Sequence, residues 1–154
     1  MKKEIQKEII SWYELEQYSA MLAERINFSN SSKYNAIVAI TRGGLFVAGL
    51  LSHLLDIKNI ETIGVQYYTG IAKTKDEPEM IKALNKGSIV NKNVLVVDDL
   101  VDSGKTMKFV CDYINSITTC NLHTAVLFKK PTSKFDPDYY IRITDKWLVF
   151  PYEK

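Results

Sequence analysis

Cysteine is scarce in this chain: Cys111 and Cys120 are the only two among 154 residues, and they lack CxxC spacing. The opening stretch MKKEIQKEIISWYELEQ is too acidic and amphipathic for a secretory signal. The pair is therefore expected as reduced thiols of a cytoplasmic protein rather than as a disulfide. Long apolar runs are also missing, and none approaches the roughly 20 residues that a bilayer span requires. A strong charge of either sign is absent. The net charge is +2 and the basic residues are scattered, so no nucleic-acid partner is expected. Histidine is nearly absent too: His53 and His123 each stand alone on apolar segments, and neither reads as a metal ligand. No repeat or low-complexity segment is visible. What remains is an ordinary globular composition, 46% hydrophobic and 25% charged. A chain of this length buries about 70% of its unfolded surface, and residues 1–154 are expected to form one domain.

Ser11 and Glu14 have capping-box spacing, and the pattern Leu15, Tyr18, Met21, Leu22, Ile26 predicts a helix ending near Asn27. Ala36–Ile40 reads as a buried strand closed by Gly43 and Gly44, and Leu45–Leu55 as a packed helix. Ile60–Tyr67 is the next strand. From about 67 to 87 the texture changes: the segment is charged, shows little strand character, and holds Pro78, the only proline of the first 130 residues. A stretch of about twenty such residues inside a compact domain marks either a mobile functional loop or a solvated insertion. Further on, the pattern predicts a helix from about Lys105 to Ile117, strands at His123–Phe128 and around Tyr139–Ile143, and an aromatic tail. Alternating strands and helices imply an α/β fold with a mainly parallel sheet, whose ligands collect at the carboxyl ends of the strands.

The chemistry is densest in VLVVDDLVDSGKTM, Val94 to Met107. A buried strand runs into Asp98 and Asp99; Asp102 follows, then Ser103, Gly104, Lys105 and Thr106. The acids suit hydroxyls and a hard cation. Loop amides, hydroxyls and a helix start suit a phosphate. A sugar phosphate carries both kinds of group. The Gly-Lys-Thr triplet is not the end of a nucleotide-triphosphate loop, because the position that must be the first glycine is Asp99. Nor is simple helix capping enough: a cap needs one polar residue, and this loop holds three acids and two hydroxyls. A second loop, Thr41, Arg42, Gly43 and Gly44, also ends a strand. There the glycines permit close approach and the arginine offers a planar fork to phosphate oxygens.

The central segment resembles the phosphoribosyl pyrophosphate (PRPP) motif of the type I phosphoribosyltransferases. TRGGL, Trp12 and the order KP, DYY, W with a Pro-aromatic-acid ending make the whole chain most similar to the bacterial xanthine-guanine enzymes. The resemblance implies a central, mainly parallel sheet flanked by helices, with a small hood over the base formed mainly by 129–154. It implies that Asp98 and Asp99 serve the ribose hydroxyls and the metal-bound side of PRPP. Mg²⁺ would be held by Asp99, with Glu153 as a possible second ligand. Ser103, Gly104, Lys105 and Thr106 would cradle the 5′-phosphate, and Thr41, Arg42, Gly43 and Gly44 the pyrophosphate. Trp147 would stack on a purine, Lys130 would donate to its 6-oxygen, the backbone of Leu148 would meet its 2-position, and Asp102 would be the catalytic acid/base at its imidazole edge. The expected partners are PRPP and guanine, xanthine or hypoxanthine in purine salvage, and the expected assembly is a homodimer or homotetramer.

Three positions depart from the pattern: Ser-Gly-Lys replaces Thr-Gly-Gly, Val149 replaces a polar residue, and Glu153 stands where Asp is usual. They bear on base preference rather than on phosphoribosyl transfer. Three other readings compete: a PRPP-sensing regulator of the same fold, a transferase for another base, and a nucleotide binder without catalysis.

Overall fold

The computed structural model describes residues 4–29, 33–67 and 77–153. In chain order the first elements are β1 (Lys7–Ile9), α1 (Trp12–Ser29), β2 (Ala36–Thr41), α2 (Gly44–Leu54), β3 (Ile60–Tyr67) and β4 (Pro78–Lys82). A short 3₁₀ turn at Lys86–Ser88 leads to β5 (Asn93–Val97), β6 (Leu100–Val101) and α3 (Lys105–Ile117). The chain finishes with β7 (Asn121–Ala125), β8 (Phe128–Lys129), β9 (Arg142–Ile143) and β10 (Trp147–Val149).

The central sheet has five strands in the order β4-β3-β2-β5-β7, and only β4 runs antiparallel. Its two most buried strands, β2 and β5, are almost wholly apolar because both faces are covered. Ile37, Ala39, Leu95 and Val97 face one core with Leu15, Leu22, Val47 and Leu51 of α1 and α2. Val38, Ile40, Val94 and Val96 face the other, with Met107, Val110 and Ile114 of α3. Two smaller sheets lie outside this sandwich: β6-β8-β9 and the parallel pair β1-β10. No helix among the described residues is long and apolar enough to cross a membrane. Both cysteines are free thiols, and burial pushes Cys111 up to about 12.

The capping box closes reciprocally: Ser11 N donates to Glu14 Oε2 at 2.8 Å, and Glu14 N to Ser11 Oγ at 3.1 Å. On α1 the buried face includes Ser19, whose hydroxyl donates to Leu15 O at 2.8 Å, whereas Met21 is exposed.

Four features differ from the sequence reading. Of the charged segment at 67–87, residues 68–76 lie outside the described ones, but Pro78–Lys82 is a strand on the open edge of the sheet. An edge strand exposed on most of its length needs little apolar residue, which is why composition hides it. The apolar run at 123–128 is divided between two sheets, because the amides of Leu127 and Phe128 both turn to Asp99 O, at 3.1 and 3.2 Å. Near the end, Tyr139 makes only a single bridge to Ala125, and the strand is Arg142–Ile143. Finally, the last sheet is built from both chain ends, with Lys7, Glu8 and Ile9 paired to Trp147, Leu148 and Val149.

Candidate active site

Strands β2 and β5 are hydrogen-bonded neighbours in parallel, with Ala39 opposite Val97. Their following loops, 41–44 and 98–104, therefore emerge side by side. Gly43 has an ordinary helical backbone (φ −58°), so its glycine is required by space rather than conformation. A Cβ there would lie 2.1 Å from Asp99 Oδ2, and one at Gly44 would lie 2.6 Å from Val97 O. The basic loop is thus packed directly on the acidic one. It is entered through a cis Thr41–Arg42 peptide bond; Thr41 Oγ1 donates to Ile63 O at 3.3 Å, and Arg42 is exposed.

A cavity of about 250 Å³ opens between the end of β3 and the loop after β5, lined by Asp98, Asp102, Ser103, Gly104 and Thr106, with Tyr67, Leu100, Val101 and Met107. It brings acid groups and the phosphate-type loop into one space. Gly104 takes a left-handed backbone (φ +89°), and a Cβ on it would meet Phe135 Cβ at 2.6 Å. Lys105 N, at the start of α3, points to Ser103 Oγ at 3.3 Å. Thr106 Oγ1 donates to Tyr67 OH at 3.2 Å, which ties the end of β3 to the loop.

The adjacent acids are under electrostatic pressure. Burial, then the neighbouring Asp99 charge, holds Asp98 well above the usual carboxylate range. Burial also raises Asp99, opposed first by a 2.5 Å hydrogen bond from Tyr152 OH. Asp98 Oδ1 accepts from Asp99 N at 2.9 Å. Two crowded carboxylates of this kind fit a hard divalent cation, whose charge would relieve both burial and mutual repulsion. Glu153 contributes negative charge close enough to push Asp99 upward, while its own Oε2 accepts from Phe150 N at 2.9 Å. Among the described residues no group of three or more His, Cys, Asp or Glu side chains forms a closed metal cage.

Lys130, Trp147 and Leu148 lie outside the walls of that cavity, Lys130 just after β8 and the other two on β10. Lys130 follows β8, its amide donates to Val101 O at 2.9 Å beside Asp102, and its Nζ donates to Lys146 O. Trp147 is 58% exposed, so it is not the core tryptophan that an apolar tail would ordinarily hold. Leu148 is buried. Glu8 of β1 pairs with Arg142 at 2.5 Å and Lys146 at 3.6 Å, fastening the N-terminal segment to this region.

Residues 6–153 match the phosphoribosyl transferase domain family. The chain belongs to it. A xanthine-guanine phosphoribosyltransferase of Cereibacter sphaeroides is 34% identical over 149 residues, spanning 94% of this chain and 85% of the relative. A purine phosphoribosyltransferase from Pyrococcus horikoshii superposes with a TM-score of 0.84 at 33% identity, covering 96% of this chain and 95% of that one. A Neisseria gonorrhoeae protein with bound ppGpp gives a TM-score of 0.86 at 26% identity, covering 99% and 92%. The phosphoribosyltransferase fold expected from the motif is the observed one, and the chain is a transferase of this family.

Sequence reasoning did not single out Tyr67, Tyr152 or Glu8 as parts of the site. The Pro-aromatic-acid ending pointed at the position of Tyr152 but not at its hydroxyl, and nothing in β1 marks Glu8.

Proposed function

We propose that this phosphoribosyltransferase serves purine salvage, moving the 5-phosphoribosyl group of PRPP to N9 of guanine, xanthine or hypoxanthine. The observation that carries this reading is the single cavity joining Asp98 and Asp102 to Ser103, Gly104 and Thr106, packed beside the Arg42 loop. The cavity supplies partners for a phosphate and for ribose hydroxyls, and the Arg42 loop packed on Asp99 supplies partners for a diphosphate. The loop from Ser103 to Thr106 holds the 5′-phosphate through amides and hydroxyls. Asp98 and Asp99 hold the ribose hydroxyls and favour positive charge as the bond from C1′ to pyrophosphate breaks. Thr41, Arg42 and the amides of Gly43 and Gly44 stabilise the charge that grows on the leaving diphosphate. Asp99, with Glu153 near it, would hold Mg²⁺, which when bound neutralises diphosphate oxygens.

Asp102 takes up the imidazole proton that the purine loses as N9 bonds to C1′. The exposed Trp147 ring supplies a stacking face. Lys130 exchanges the carbonyl of Lys146 for the purine 6-oxygen; an ammonium is a donor only, which disfavours a 6-amino base. In this reading residues 1–154 act as one domain, residues 129–154 form most of the hood with β1 paired to it, and the working unit is a cytoplasmic homo-oligomer.

The deciding experiment measures pyrophosphate release from PRPP and Mg²⁺ with guanine, xanthine, hypoxanthine, adenine or no base. Release with 6-oxopurines alone supports the reading and ranks the acceptors. Tight PRPP binding without release from any base would overturn it in favour of a PRPP-sensing regulator. The Neisseria protein adds a second ligand of the same chemistry. A guanine nucleotide bearing diphosphates should compete with PRPP here, and inhibition by ppGpp in the same assay checks it.

A further inference from the structure

Tyr152 lies four residues beyond the hood strand's Leu148, yet its hydroxyl reaches the central sheet and donates to Asp99 Oδ2 at 2.5 Å. Two aromatic rings stack on it. Phe46 of α2 lies 4.2 Å away with 2° between planes, and Phe150 lies 5.4 Å away with 4° between planes. Trp12, at the start of α1, is 6.2 Å from it. A side chain packed this way has lost its rotamer freedom, so its hydroxyl is presented at a fixed point. The oxygen it meets is confined from another direction as well, since a Cβ at Gly43 would come within 2.1 Å of Asp99 Oδ2. The phenol hydroxyl is the donor of this pair and the carboxylate oxygen its acceptor.

We propose that Tyr152 is a positioning residue for PRPP, its hydroxyl holding the Asp99 carboxylate in the orientation that the ribose and metal side of the substrate requires. The aromatic stack supplies the rigidity. Phe46 lies in the first turn of α2, two residues beyond the Gly43-Gly44 pair, so the stack also fixes Asp99 relative to the pyrophosphate loop. A phenylalanine would fill the same slot and leave the carboxylate unheld. This inference rests on the assignment of Asp99 to PRPP.

The test compares Tyr152→Phe with Asp99→Asn, reading KM for each substrate, kcat, the melting temperature and calorimetric binding of PRPP with Mg²⁺. For Tyr152→Phe, loss of one hydrogen bond to a charged group should weaken PRPP by about tenfold in both KM and calorimetry. Purine KM should stay unchanged and the protein should melt as a single folded species. PRPP affinity intact in Tyr152→Phe but weakened in Asp99→Asn would overturn the positioning role while leaving the site assignment standing. Equal changes for both substrates would also overturn it, marking Tyr152 as general packing. PRPP affinity intact in Asp99→Asn would remove the assignment of Asp99 and the inference with it.

Discussion

The two loops that leave β2 and β5 solve the same problem in opposite ways. The first, 41–44, is short, basic and placed by what it lacks: side chains at Gly43 and Gly44 that would strike Asp99 and Val97. The second, 98–104, is acidic and placed by what others bring to it. Tyr152 holds Asp99, Phe135 closes against Gly104, and Tyr67 accepts from Thr106 in the first turn of α3 just beyond it. The amides of Leu127 and Phe128 also take up the Asp99 carbonyl. One loop is set mainly by close backbone approach to neighbouring strands, whereas the other is a meeting point for side chains from segments far apart in the chain. Catalytic groups should therefore be lost one at a time from the acidic loop, and geometry all at once from the basic one.

The largest effect expected is Asp102→Asn. Asp102 is exposed at the cavity rim, next to the Val101 carbonyl that accepts from Lys130 N, and no hydrogen bond or ion pair holds its side chain among the described residues. Removing a general acid/base costs about 10²- to 10⁴-fold in turnover. PRPP affinity by calorimetry should be nearly unchanged. Unchanged turnover would take Asp102 out of the mechanism and return the comparison to loop geometry alone.

Next comes Gly43→Ala in the basic loop. The added methyl would sit 2.1 Å from Asp99 Oδ2, so one loop must move. Overpacking of this kind costs about 1–3 kcal/mol, and here the strain falls on groups assigned to the pyrophosphate and to the ribose of PRPP. Turnover and PRPP affinity should fall together, with a lower denaturation midpoint. A variant with normal affinity would show that the loops are less tightly registered than the spacing of their atoms implies.

How much of this was legible follows the same division. The acidic loop's own residues lie in one unbroken strand-loop-helix unit, so their types and order could point to the family, and α3 begins and ends where its pattern places it. The TRGG loop was readable for the same reason. What escaped were the partners, because Tyr67, Phe135 and Tyr152 become neighbours of this loop only after the sheet and the C-terminal segment are assembled. The break between β7 and β8 was hidden because every residue from Ala125 to Phe128 is buried and apolar in either sheet. Strand β4 was hidden for the opposite reason, since its exposed, charged face carries no apolar alternation. β1, at three residues, is too short for any period to show.

A third prediction separates the two reasons for glycine. Gly104 needs its residue twice over, for a φ of +89° and for the 2.6 Å approach to Phe135 Cβ. Left-handed backbone alone costs a non-glycine residue about 1–2 kcal/mol. Gly104→Ala should therefore lower the denaturation midpoint and weaken PRPP, by way of its 5′-phosphate, without selectively changing purine KM. An equal loss of purine affinity would mean that the loop's strain reaches the hood.

The smallest effect is expected at Gly49, and it is the control for all the others. Gly49 lies in the same helix that the basic loop opens, but an added Cβ there would have nothing within 4 Å. In the interior of α2 its only consequence is a more flexible unfolded chain and a weaker helix. Gly49→Ala should raise stability by about 0.5–1 kcal/mol and leave kcat and both KM values alone. The pair Gly43 and Gly49 then sets space against propensity within one helical segment. If Gly49→Ala also disturbed PRPP binding, the rigidity of α2 rather than the bare approach of Gly43 to Asp99 would set the pyrophosphate loop.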